Sequence, residues 1–495
     1  MTQETALNIL KTGANVFLTG EPGSGKSYTI KSYIDYLASN GVHASVTAST
    51  GIAATHIGGM TIHSWAGIGI KDSMTDYEIE ALHEKEYIVK RLQKAKVLII
   101  DEISMLPAKT LDMVNAVCKS IRNVDKSFGG LQIIFVGDFF QLPPIIKKTD
   151  TLELFEDSGF TFTSYAWKES KPLTCYLTEQ HRQSDSEFSA MLQSIRAGDI
   201  NGDVHSTLQS RVFVDRDNLP EVTKLYSHNS HVDTVNEREL QKIKQSTQIF
   251  EMRTTGKETL IATMMKGCLS PQKLELKLGA KVMFTKNNSD KGFVNGTLGV
   301  VVGYENNFPI VKVGKSLNIT VEPMEWSVMD NGKVLATITQ IPLRLAWAMT
   351  IHKSQGMSLD SALMDLSQVF EYGQGYVALS RVRTLAGLHM LGYNDRALEV
   401  HPRVREEDFS FKSSSDTAEY EFLQIKKDEL KKIHERYLAS IGGGEGVVLQ
   451  KEDKAPKYNG YMAKKRFGKG GKKVAVKKPK KEKYGGYDFE SEVIY

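Results

Sequence analysis

Residues 20–27, Gly-Glu-Pro-Gly-Ser-Gly-Lys-Ser, constrain this chain of 495 residues more than any other stretch. They match the pattern G-x-x-x-x-G-K-[S/T], and an apolar run precedes them while a helix-compatible run follows. In such a strand–loop–helix context, backbone N–H groups and the helix N-terminus face phosphate oxygens. We expect Lys26 to neutralise the β- and γ-phosphates and the Ser27 hydroxyl to ligate Mg²⁺. The other loop residues predicted to line this nucleoside triphosphate site are Gly20, Gly23, Ser24 and Gly25.

The composition is that of a soluble globular protein, with 41% apolar and 25% charged residues. The length predicts about three domains. No apolar run reaches the roughly eighteen residues that a membrane-spanning helix needs, and residues 1–5 lack the features of a signal peptide. Cys118, Cys175 and Cys268 are far apart and odd in number, which favours reduced thiols in the cytoplasm over disulfides or a zinc site.

Two further apolar runs end in polar side chains that suit a phosphate site. Residues 97–100 lead into Asp101 and Glu102, which we expect to organise Mg²⁺ and to activate a water molecule, respectively. Residues 131–136 lead into a proline-stiffened turn that carries Gln141, and its amide is suited to sense a γ-phosphate. The sequence therefore predicts a site for nucleoside triphosphate hydrolysis.

Three other segments carry candidate ligand contacts. Gln3 precedes the phosphate loop, and its amide is able to read adenine, although an exposed N-terminal glutamine is the commoner explanation. The turn at Ser49 and Thr50 presents hydroxyl and N–H donors that suit a phosphodiester backbone. The loop of residues 57–70 carries His63 and Trp65. The tryptophan either stacks on bases or lies in the core, and both interpretations stay open.

Together with the segments that follow them, these residues make the chain resemble the petite-integration-frequency (PIF-type) helicases, in the 5′→3′ branch of helicase superfamily one. The resemblance covers about residues 1–400, with its motifs in family order. The matching segments are Asp101-Glu-Ile-Ser-Met, Phe128-Gly-Gly-Leu-Gln, Gly137-Asp-Phe-Phe-Gln-Leu-Pro-Pro, Leu177-Thr-Glu-Gln-His-Arg-Gln, Leu278-Gly-Ala-Lys-Val-Met, Val294-Asn-Gly, Thr350-Ile-His-Lys-Ser-Gln-Gly-Met and Tyr376-Val-Ala-Leu-Ser-Arg. His181 departs from the family pattern, where an aromatic residue is usual, and Trp65 stands where Phe is usual.

The resemblance implies an ATP- and Mg²⁺-dependent 5′→3′ DNA helicase. It implies that Arg182 and Arg381 reach the γ-phosphate from a second motor domain, and that Gln355 and Gly356 add to the nucleotide site. The residues that it implies for contact with single-stranded DNA are Ser49, Thr50, His63, Asn295, Thr350, His352 and Lys353. The expected partners are single-stranded DNA and forked or 5′-tailed duplexes, with RNA–DNA hybrids as an additional candidate. We expect a monomer in the cytoplasm, or in the nucleus of a eukaryote, without membrane association.

The fold that the resemblance implies is α/β, with two RecA-like P-loop motor domains and an SH3-like insertion in the second; the residues themselves indicate only that the insertion is β-rich. A helical and then disordered basic C-terminal extension follows. The predicted divisions are residues 1–172 for the first motor domain, 173–240 and 341–401 for the two parts of the second, 241–340 for the insertion, 402–444 for the helical extension and 445–495 for the basic tail.

The C-terminal extension carries its own sequence signals. Asp416-Thr-Ala-Glu419 predicts a capping box that opens a helix, and Gly442 predicts the end of that helix. Residues 464–483 contain eleven Lys or Arg and one Glu, so the basic charge of a chain with net charge +4 is concentrated there. We expect this tail to be disordered and to bind nucleic acid. A nuclear targeting signal and a solubilising segment are the alternatives.

Two other functions fit the same motifs. One is a translocase that hydrolyses ATP on single strands and strips proteins from them without useful unwinding. The other is a nucleic-acid-binding scaffold or loader whose ATP hydrolysis acts as a binding switch. Strand separation by catalytic amounts of enzyme would distinguish the helicase from both.

Overall fold

The computed structural model describes residues 1–57, 59–69, 71–144, 159–180, 185–213, 219–220, 222–228, 232–288, 291–293, 295–314, 317–330 and 333–444. In chain order, its helices are α1 (Gln3–Leu10), α2 (Lys26–Ser39), α3 (Gly51–His56), α4 (Ile62–Ala66), α5 (Asp76–Glu80), α6 (Glu86–Lys94), α7 (Ala108–Arg122), α8 (Tyr165–Ser170), α9 (Ser186–Ala197), α10 (Gly202–Gln209), α11 (Val232–Lys242), α12 (Glu258–Gly267), α13 (Gln374–Leu379), α14 (Pro402–Leu423) and α15 (Lys427–Ser440). The strands are β1 (Val16–Gly20), β2 (Ser45–Ala48), β3 (Met60–Thr61), β4 (Val97–Asp101), β5 (Gln132–Val136), β6 (Leu173–Leu177), β7 (Thr223–Tyr226), β8 (Gln248–Glu251), β9 (Arg253–Gly256), β10 (Lys273–Leu276), β11 (Lys281–Phe284), β12 (Leu298–Glu305), β13 (Phe308–Val313), β14 (Leu317–Thr320), β15 (Met324–Asp330), β16 (Lys333–Gln340), β17 (Leu343–Leu345), β18 (Ala348–Thr350), β19 (Ala362–Leu366) and β20 (Leu388–Tyr393).

The first sheet is parallel, with strand order β3-β2-β4-β5-β1-β6. Strands β1 and β5 are buried along their whole length, as is most of β4. Continuous apolar runs of this kind form strands that are covered on both faces. Because all these strands run the same way, the phosphate loop after β1 and the carboxylates at the end of β4 lie at one edge of the sheet.

Strand β6 belongs to this first sheet, because Leu173–Leu177 pairs in parallel with β1 over five residues. The sequence placed the end of the first motor domain at residue 172, which is too early for this strand. The reason is that strand pairing is a long-range contact, whereas the boundary was drawn from the local change in sequence pattern.

A second parallel sheet has the order β18-β7-β19-β20. Its register pairs Tyr226 with both Thr350 and Asp365, so these three strands end at the same level. The two parallel sheets, with helices between most successive strands, form the pair of RecA-like units that the sequence predicted. The α/β class is therefore confirmed.

The β-rich insertion is also confirmed. It contains an antiparallel five-stranded sheet, β14-β13-β12-β11-β17, and a three-stranded sheet, β15-β16-β9. Asn306 and Asn307 both have positive φ, which suits the tight turn between β12 and β13. The last strand of the larger sheet, Leu343–Leu345, extends past the predicted limit of 340 because it pairs with β11.

The helical C-terminal extension is confirmed, but the predicted helix start was wrong. Helix α14 begins at Pro402, a favoured first residue, and runs through the supposed capping box at 416–419. Phe411 and Ala418 are buried along it, and the Ser415 hydroxyl accepts a hydrogen bond from the Tyr176 N–H at 3.0 Å. Packing on β6 thus overrides the local capping signal. Helix α14 ends at Leu423. Helix α15 ends at Ser440, just before Gly442, which is close to the predicted end.

Cys118 and Cys175 are buried free thiols, and Cys268 is a partly buried one. Burial raises the pKa of the Cys118 thiol to about 12. Among the helices of the described ranges, none has the length and apolarity needed to span a membrane. The basic tail, residues 445–495, lies outside the described residues.

Candidate nucleotide cleft and nucleic-acid interface

The phosphate loop lies between the end of β1 and the start of α2, as the sequence predicted. Gly25 caps α2 with φ of 91°, a conformation that L side chains rarely adopt. A Cβ atom there would lie 2.0 Å from Gln3 Nε2. The Gln3 amide itself donates a hydrogen bond to the Ser24 carbonyl at 3.2 Å. Gln3 therefore lies directly against the loop, and Gly25 is required for that contact.

The loop has the donors that a phosphate needs. Lys26 Nζ donates to the carbonyl oxygens of Gly20 (2.6 Å) and Glu21 (3.1 Å), which holds the ammonium group inside the loop. The Ser24 hydroxyl is buried and has no hydrogen-bond partner among the described residues. A buried hydroxyl without a partner is costly, so a phosphate oxygen at this position would satisfy it.

Asp101 and Glu102 form a buried carboxylate pair at the end of β4. The Glu102 N–H donates to Asp101 Oδ1 at 2.8 Å, and Glu102 takes a left-handed backbone conformation with φ of 51°. Burial and then the neighbouring Asp101 raise the pKa of Glu102 to about 7, while Lys26 and Arg381 oppose this shift. Burial also raises the pKa of Asp101, against its hydrogen bond from the Glu102 N–H and the charge of Lys26. A carboxylate whose pKa lies near neutrality is suited to act as a general base.

The second sheet supplies the opposite wall of the cleft. Gln355, which follows β18, donates from Nε2 to Glu102 Oε2 at 3.1 Å and to Gln141 Oε1 at 3.4 Å. Arg381 follows α13 and is 1% exposed. Its guanidinium donates to the Val377 carbonyl and the Ser380 hydroxyl, both at 2.7 Å. Side chains from both sheets therefore meet around Glu102.

A cavity of about 650 Å³ opens between these walls. It is lined by Pro22, Gly23, Gly25, Lys26, Ser27, Tyr28, Glu102, Gln141, Gly356, Ser358, Arg381 and Arg383. Pro22, Tyr28, Ser358 and Arg383 were not among the predicted site residues. The only sequence signal for Arg383 was its position two residues after Arg381. Arg182, predicted for the same cleft, lies outside the described residues.

A buried ion pair supports the Gln141 side of the cleft. Arg196 Nη1 donates to both carboxylate oxygens of Asp138, at 2.8 and 3.0 Å. Asp138 in turn accepts from Gln141 Nε2 at 3.4 Å. The same guanidinium donates to the hydroxyls of Tyr176 (2.9 Å) and Tyr376 (3.3 Å), which belong to β6 and α13. Arg196 thus ties the Gln141 turn to the helix that precedes Arg381.

We expect Asp138→Asn to lower the free energy of unfolding by about 3 kcal/mol, because it removes the closer of the two carboxylates that pair with the buried Arg196 guanidinium and leaves only Asp408, at 3.7 Å. Urea unfolding followed by circular dichroism measures this. Glu435→Ala is the matched control, since its pair with Lys431 is on the exposed surface of α15 and should contribute less than about 1 kcal/mol. Equal destabilisation by both variants would contradict a supporting role for Arg196.

The predicted DNA contacts of the first sheet lie beside the carboxylates. The Ser49 N–H donates to the Asp101 carbonyl at 3.1 Å, and the Ser49 hydroxyl donates to the Glu102 carbonyl at 2.7 Å. Thr50 Oγ1 accepts from the Ala53 N–H at the start of α3. His63 is half-buried on α4, and burial lowers its pKa. Trp65 is 2% exposed and belongs to the core, which resolves the alternative left open by the sequence.

The remaining predicted DNA contacts lie near the end of β18. The Lys353 N–H donates to Thr350 Oγ1 at 3.3 Å, and His352 Nε2 lies 3.7 Å from a Glu371 carboxylate oxygen. Asn295 is in the turn before β12, where its N–H donates to Asn287 Oδ1. The adjacent Gly296 packs against the Ser358 backbone, since a Cβ there would lie 3.1 Å from that carbonyl oxygen. The insertion therefore reaches the segment that follows Lys353.

Family descriptions match two parts of the chain: residues 3–206 match "PIF1-like helicase", and residues 260–304 match "DNA helicase Pif1, 2B domain". The "ATP-dependent DNA helicase Pif1" of Psychrobacter sp. (strain PRwf-1) is 42% identical, and the alignment covers 90% of this chain and 75% of the relative. The Homo sapiens "ATP-dependent DNA helicase PIF1" is 40% identical, with 81% of this chain and 62% of the relative covered. The chain thus spans three-quarters of the bacterial relative and less than two-thirds of the human one.

Solved structures of Pif1 helicases also resemble this chain. Bacteroides sp Pif1 in complex with ADP-AlF4 superposes with a TM-score of 0.73 at 33% identity, over 84% of this chain and 97% of that one. Bacteroides Pif1 bound to ssDNA superposes with a TM-score of 0.58 at 33% identity, over the same shares of the two chains. The chain belongs to the PIF1-like family of ATP-dependent DNA helicases.

Proposed function

We propose that the cleft between the two parallel sheets hydrolyses ATP and thereby drives 5′→3′ movement along single-stranded DNA, with unwinding of the duplex ahead. The observation that carries this proposal is the meeting of Gln355 and Arg381, from the second sheet, with Glu102, Gln141 and Lys26, from the first. A site assembled from two bodies responds to their relative movement, which is how hydrolysis is coupled to motion. The nucleotide-bound and ssDNA-bound Bacteroides relatives support it.

In this proposal Lys26 and the loop N–H groups bind the phosphates, while Gln3 supports the loop and contacts adenine. Ser27 and Asp101 would hold Mg²⁺, which polarises the phosphate oxygens when bound. The residues fit such an ion, because a hydroxyl and a carboxylate are the usual protein ligands of Mg²⁺ beside a nucleotide, with phosphate and water oxygens completing the shell. The described residues contain no cluster of three or more acidic, His or Cys groups that would suggest a different metal.

Glu102 is proposed as the base that accepts the proton of the attacking water, and Gln141 as a γ-phosphate sensor. Arg381 would stabilise the charge that develops on the transferred phosphoryl group. The buried position of its guanidinium, held by two carbonyls and a hydroxyl, suits this role because little reorientation is needed. Arg182 and Gly356 complete the proposed site.

The proposed base makes hydrolysis dependent on pH. Because burial raises the pKa of Glu102 to about 7, the free enzyme carries the active carboxylate above that pH and loses it below. We expect kcat/KM for ATP to fall about tenfold per pH unit on the acid side and to level off above neutrality. Initial rates across a pH series measure this. A flat profile between pH values of about 5 and 8 would exclude Glu102 as the titrating base.

Ser49 and Thr50 are proposed to bind one stretch of single-stranded DNA, together with His63, and a second stretch would bind Thr350, His352, Lys353 and Asn295. The domain divisions, with β6 moved to the first motor domain and β17 to the insertion, belong to the same proposal, as do a monomeric state and a cytoplasmic location. Single-stranded, forked and 5′-tailed DNA are the proposed substrates, and RNA–DNA hybrids are the further candidate.

The Ser49 hydroxyl directly links the proposed DNA turn to Glu102, so we expect Ser49→Ala to weaken the stimulation of ATP hydrolysis by DNA. Loss of one such hydrogen bond costs about 1 kcal/mol, which corresponds to a roughly fivefold fall in the stimulation by DNA. The measurement is kcat with saturating single-stranded DNA divided by kcat without it. Thr47→Val is the matched control, because it also removes one hydroxyl hydrogen bond, here to the Ile99 carbonyl within the sheet. Unchanged stimulation in Ser49→Ala would show that this bond does not couple the two sites.

The direct test of the proposed function compares strand separation on 5′-tailed DNA, 3′-tailed DNA and 5′-tailed RNA–DNA hybrids. We expect separation of the 5′-tailed DNA by catalytic amounts of enzyme, with ATP required. Separation only at stoichiometric enzyme would favour the translocase or the scaffold. Separation of the 3′-tailed substrate alone would overturn the proposed polarity.

A further inference from the structure

Three neighbouring strand ends place aromatic side chains on one surface. Strands β18, β7 and β19 end in register, with Thr350 and Asp365 both paired to Tyr226. The segments just beyond them carry His352, His228 and Phe370, respectively. Because the carboxyl ends of adjacent parallel strands lie at one edge of a sheet, these segments share the edge that carries the proposed DNA contacts Lys353, which is partly exposed, and Thr350, which is buried.

Two of these rings form an exposed stack. The ring centroids of His228 and Phe370 are 5.2 Å apart, and the ring planes differ by 15°. Phe370 nevertheless remains 55% exposed, and His228 is also exposed. A single exposed phenylalanine needs no explanation. Here, however, the exposed phenylalanine is stacked on a second exposed ring. The pair presents a flat aromatic surface beside the proposed phosphate contacts.

The buried side-chain amide of Gln374 bonds to the backbone of both segments that carry the stacked rings. Gln374 is 0% exposed, and its Oε1 accepts from the Phe370 N–H at 3.3 Å. Its Nε2 lies 3.5 Å from the Ser227 carbonyl, next to His228. Asn394 Nδ2 also donates to the Val369 carbonyl at 2.8 Å. The two segments that carry the rings are therefore fixed to each other, so the stack is a preformed surface.

We propose that the His228–Phe370 pair is a stacking platform for a nucleobase of the bound single strand. This inference rests on the proposed function. Every nucleobase has a π-face, so an aromatic platform binds single strands without sequence preference, whereas cationic and hydroxyl groups bind the phosphates. His352 and Glu371, 3.7 Å apart, lie next to the platform. The arrangement places a base contact beside the proposed phosphate contacts of the second sheet.

The test measures the affinity of full-length variants for a single-stranded oligonucleotide by fluorescence anisotropy. Phe370→Ala and Phe370→Leu should bind about five- to hundredfold more weakly, since stacking on one aromatic ring contributes that much per base. Phe370→Leu keeps apolar packing and guards against a folding defect. Phe370→Trp should restore binding. Phe409→Ala, which removes another exposed phenylalanine from α14, is the matched control and should bind normally.

Two further arms separate stacking from charge. An oligonucleotide of abasic nucleotides should bind wild type and Phe370→Leu equally, because it has phosphates but no bases. The slope of log K against log salt should stay the same in Phe370→Leu, whereas Lys353→Ala should reduce it by about 0.7, the value for one phosphate of a single strand.

The outcomes distinguish the platform from the wider function. If wild type binds single-stranded DNA and Phe370→Leu binds it equally well, the platform is overturned while the proposed function stands. An equal loss of affinity for the abasic strand would assign Phe370 to loop structure and overturn base stacking. If wild type itself binds no single strand, the proposed function fails, and the platform fails with it.

Discussion

Arg381→Ala should hydrolyse ATP with a kcat about 10³-fold below wild type, as expected when an arginine that stabilises the transferred phosphoryl group is removed. The Arg381 guanidinium is buried, is held by Val377, Ser380 and Met357, and lines the same cavity as Lys26 and Glu102. Its charge is needed most where the phosphoryl charge develops, so ATP affinity should change much less than kcat.

Steady-state ATP hydrolysis at saturating DNA gives kcat, and equilibrium binding of a fluorescent, non-hydrolysable ATP analogue gives the affinity. Arg383→Ala is the matched control, because Arg383 lines the same cavity but has a half-exposed side chain within 3.4 Å of Asp360. Its effect on kcat should be far smaller. If ATP affinity fell by as much as kcat in Arg381→Ala, Arg381 would bind the ground state, and the proposed role would be wrong.

Glu102→Gln is expected to lower kcat by about 10²–10⁴-fold while ATP and DNA binding are retained. Glutamine keeps an oxygen that accepts the hydrogen bond from Gln355, so the contact between the two walls is preserved. It cannot accept the proton of the attacking water, so hydrolysis is lost.

Single-turnover hydrolysis and analogue binding measure these two quantities for Glu102→Gln. Glu86→Gln, an exposed carboxylate on α6, is the control and should behave as wild type. The residual hydrolysis of Glu102→Gln should also lack the acid limb of the pH profile. Nearly normal hydrolysis by this variant would remove Glu102 from the mechanism.

The parts of the molecule that could be predicted from sequence are those that short stretches of neighbouring residues determine. The phosphate loop and the strand ending at Asp101 each combine an apolar run with a polar turn, and the structure places them where the patterns indicate. The resemblance added the second wall of the cleft, because Gln355 and Arg381 carry no local signal of their own. Their contact with the first wall crosses more than two hundred residues of chain.

What the sequence did not predict depends on long-range packing. Strand β6 joins the first sheet because it pairs with β1, and α14 continues through residues 416–419 because Phe411 and Ser415 pack on that strand and its neighbours. The Asp138–Arg196 pair joins residues 58 positions apart, and the His228–Phe370 stack joins two separate loops. No local pattern distinguishes these residues from ordinary charged or aromatic ones.

The measurement that tests the account most directly is ATP-driven displacement of streptavidin from biotinylated single strands, since it reports directed movement without any duplex. A motor that moves 5′→3′ reaches the 3′ end, so streptavidin should be released quickly from 3′-biotinylated strands and no faster than the spontaneous rate from 5′-biotinylated strands. Glu102→Gln should release neither. Preferential release from the 5′ end would contradict the proposed direction, and no ATP-dependent release from either end would contradict the proposal that this cleft drives movement along DNA.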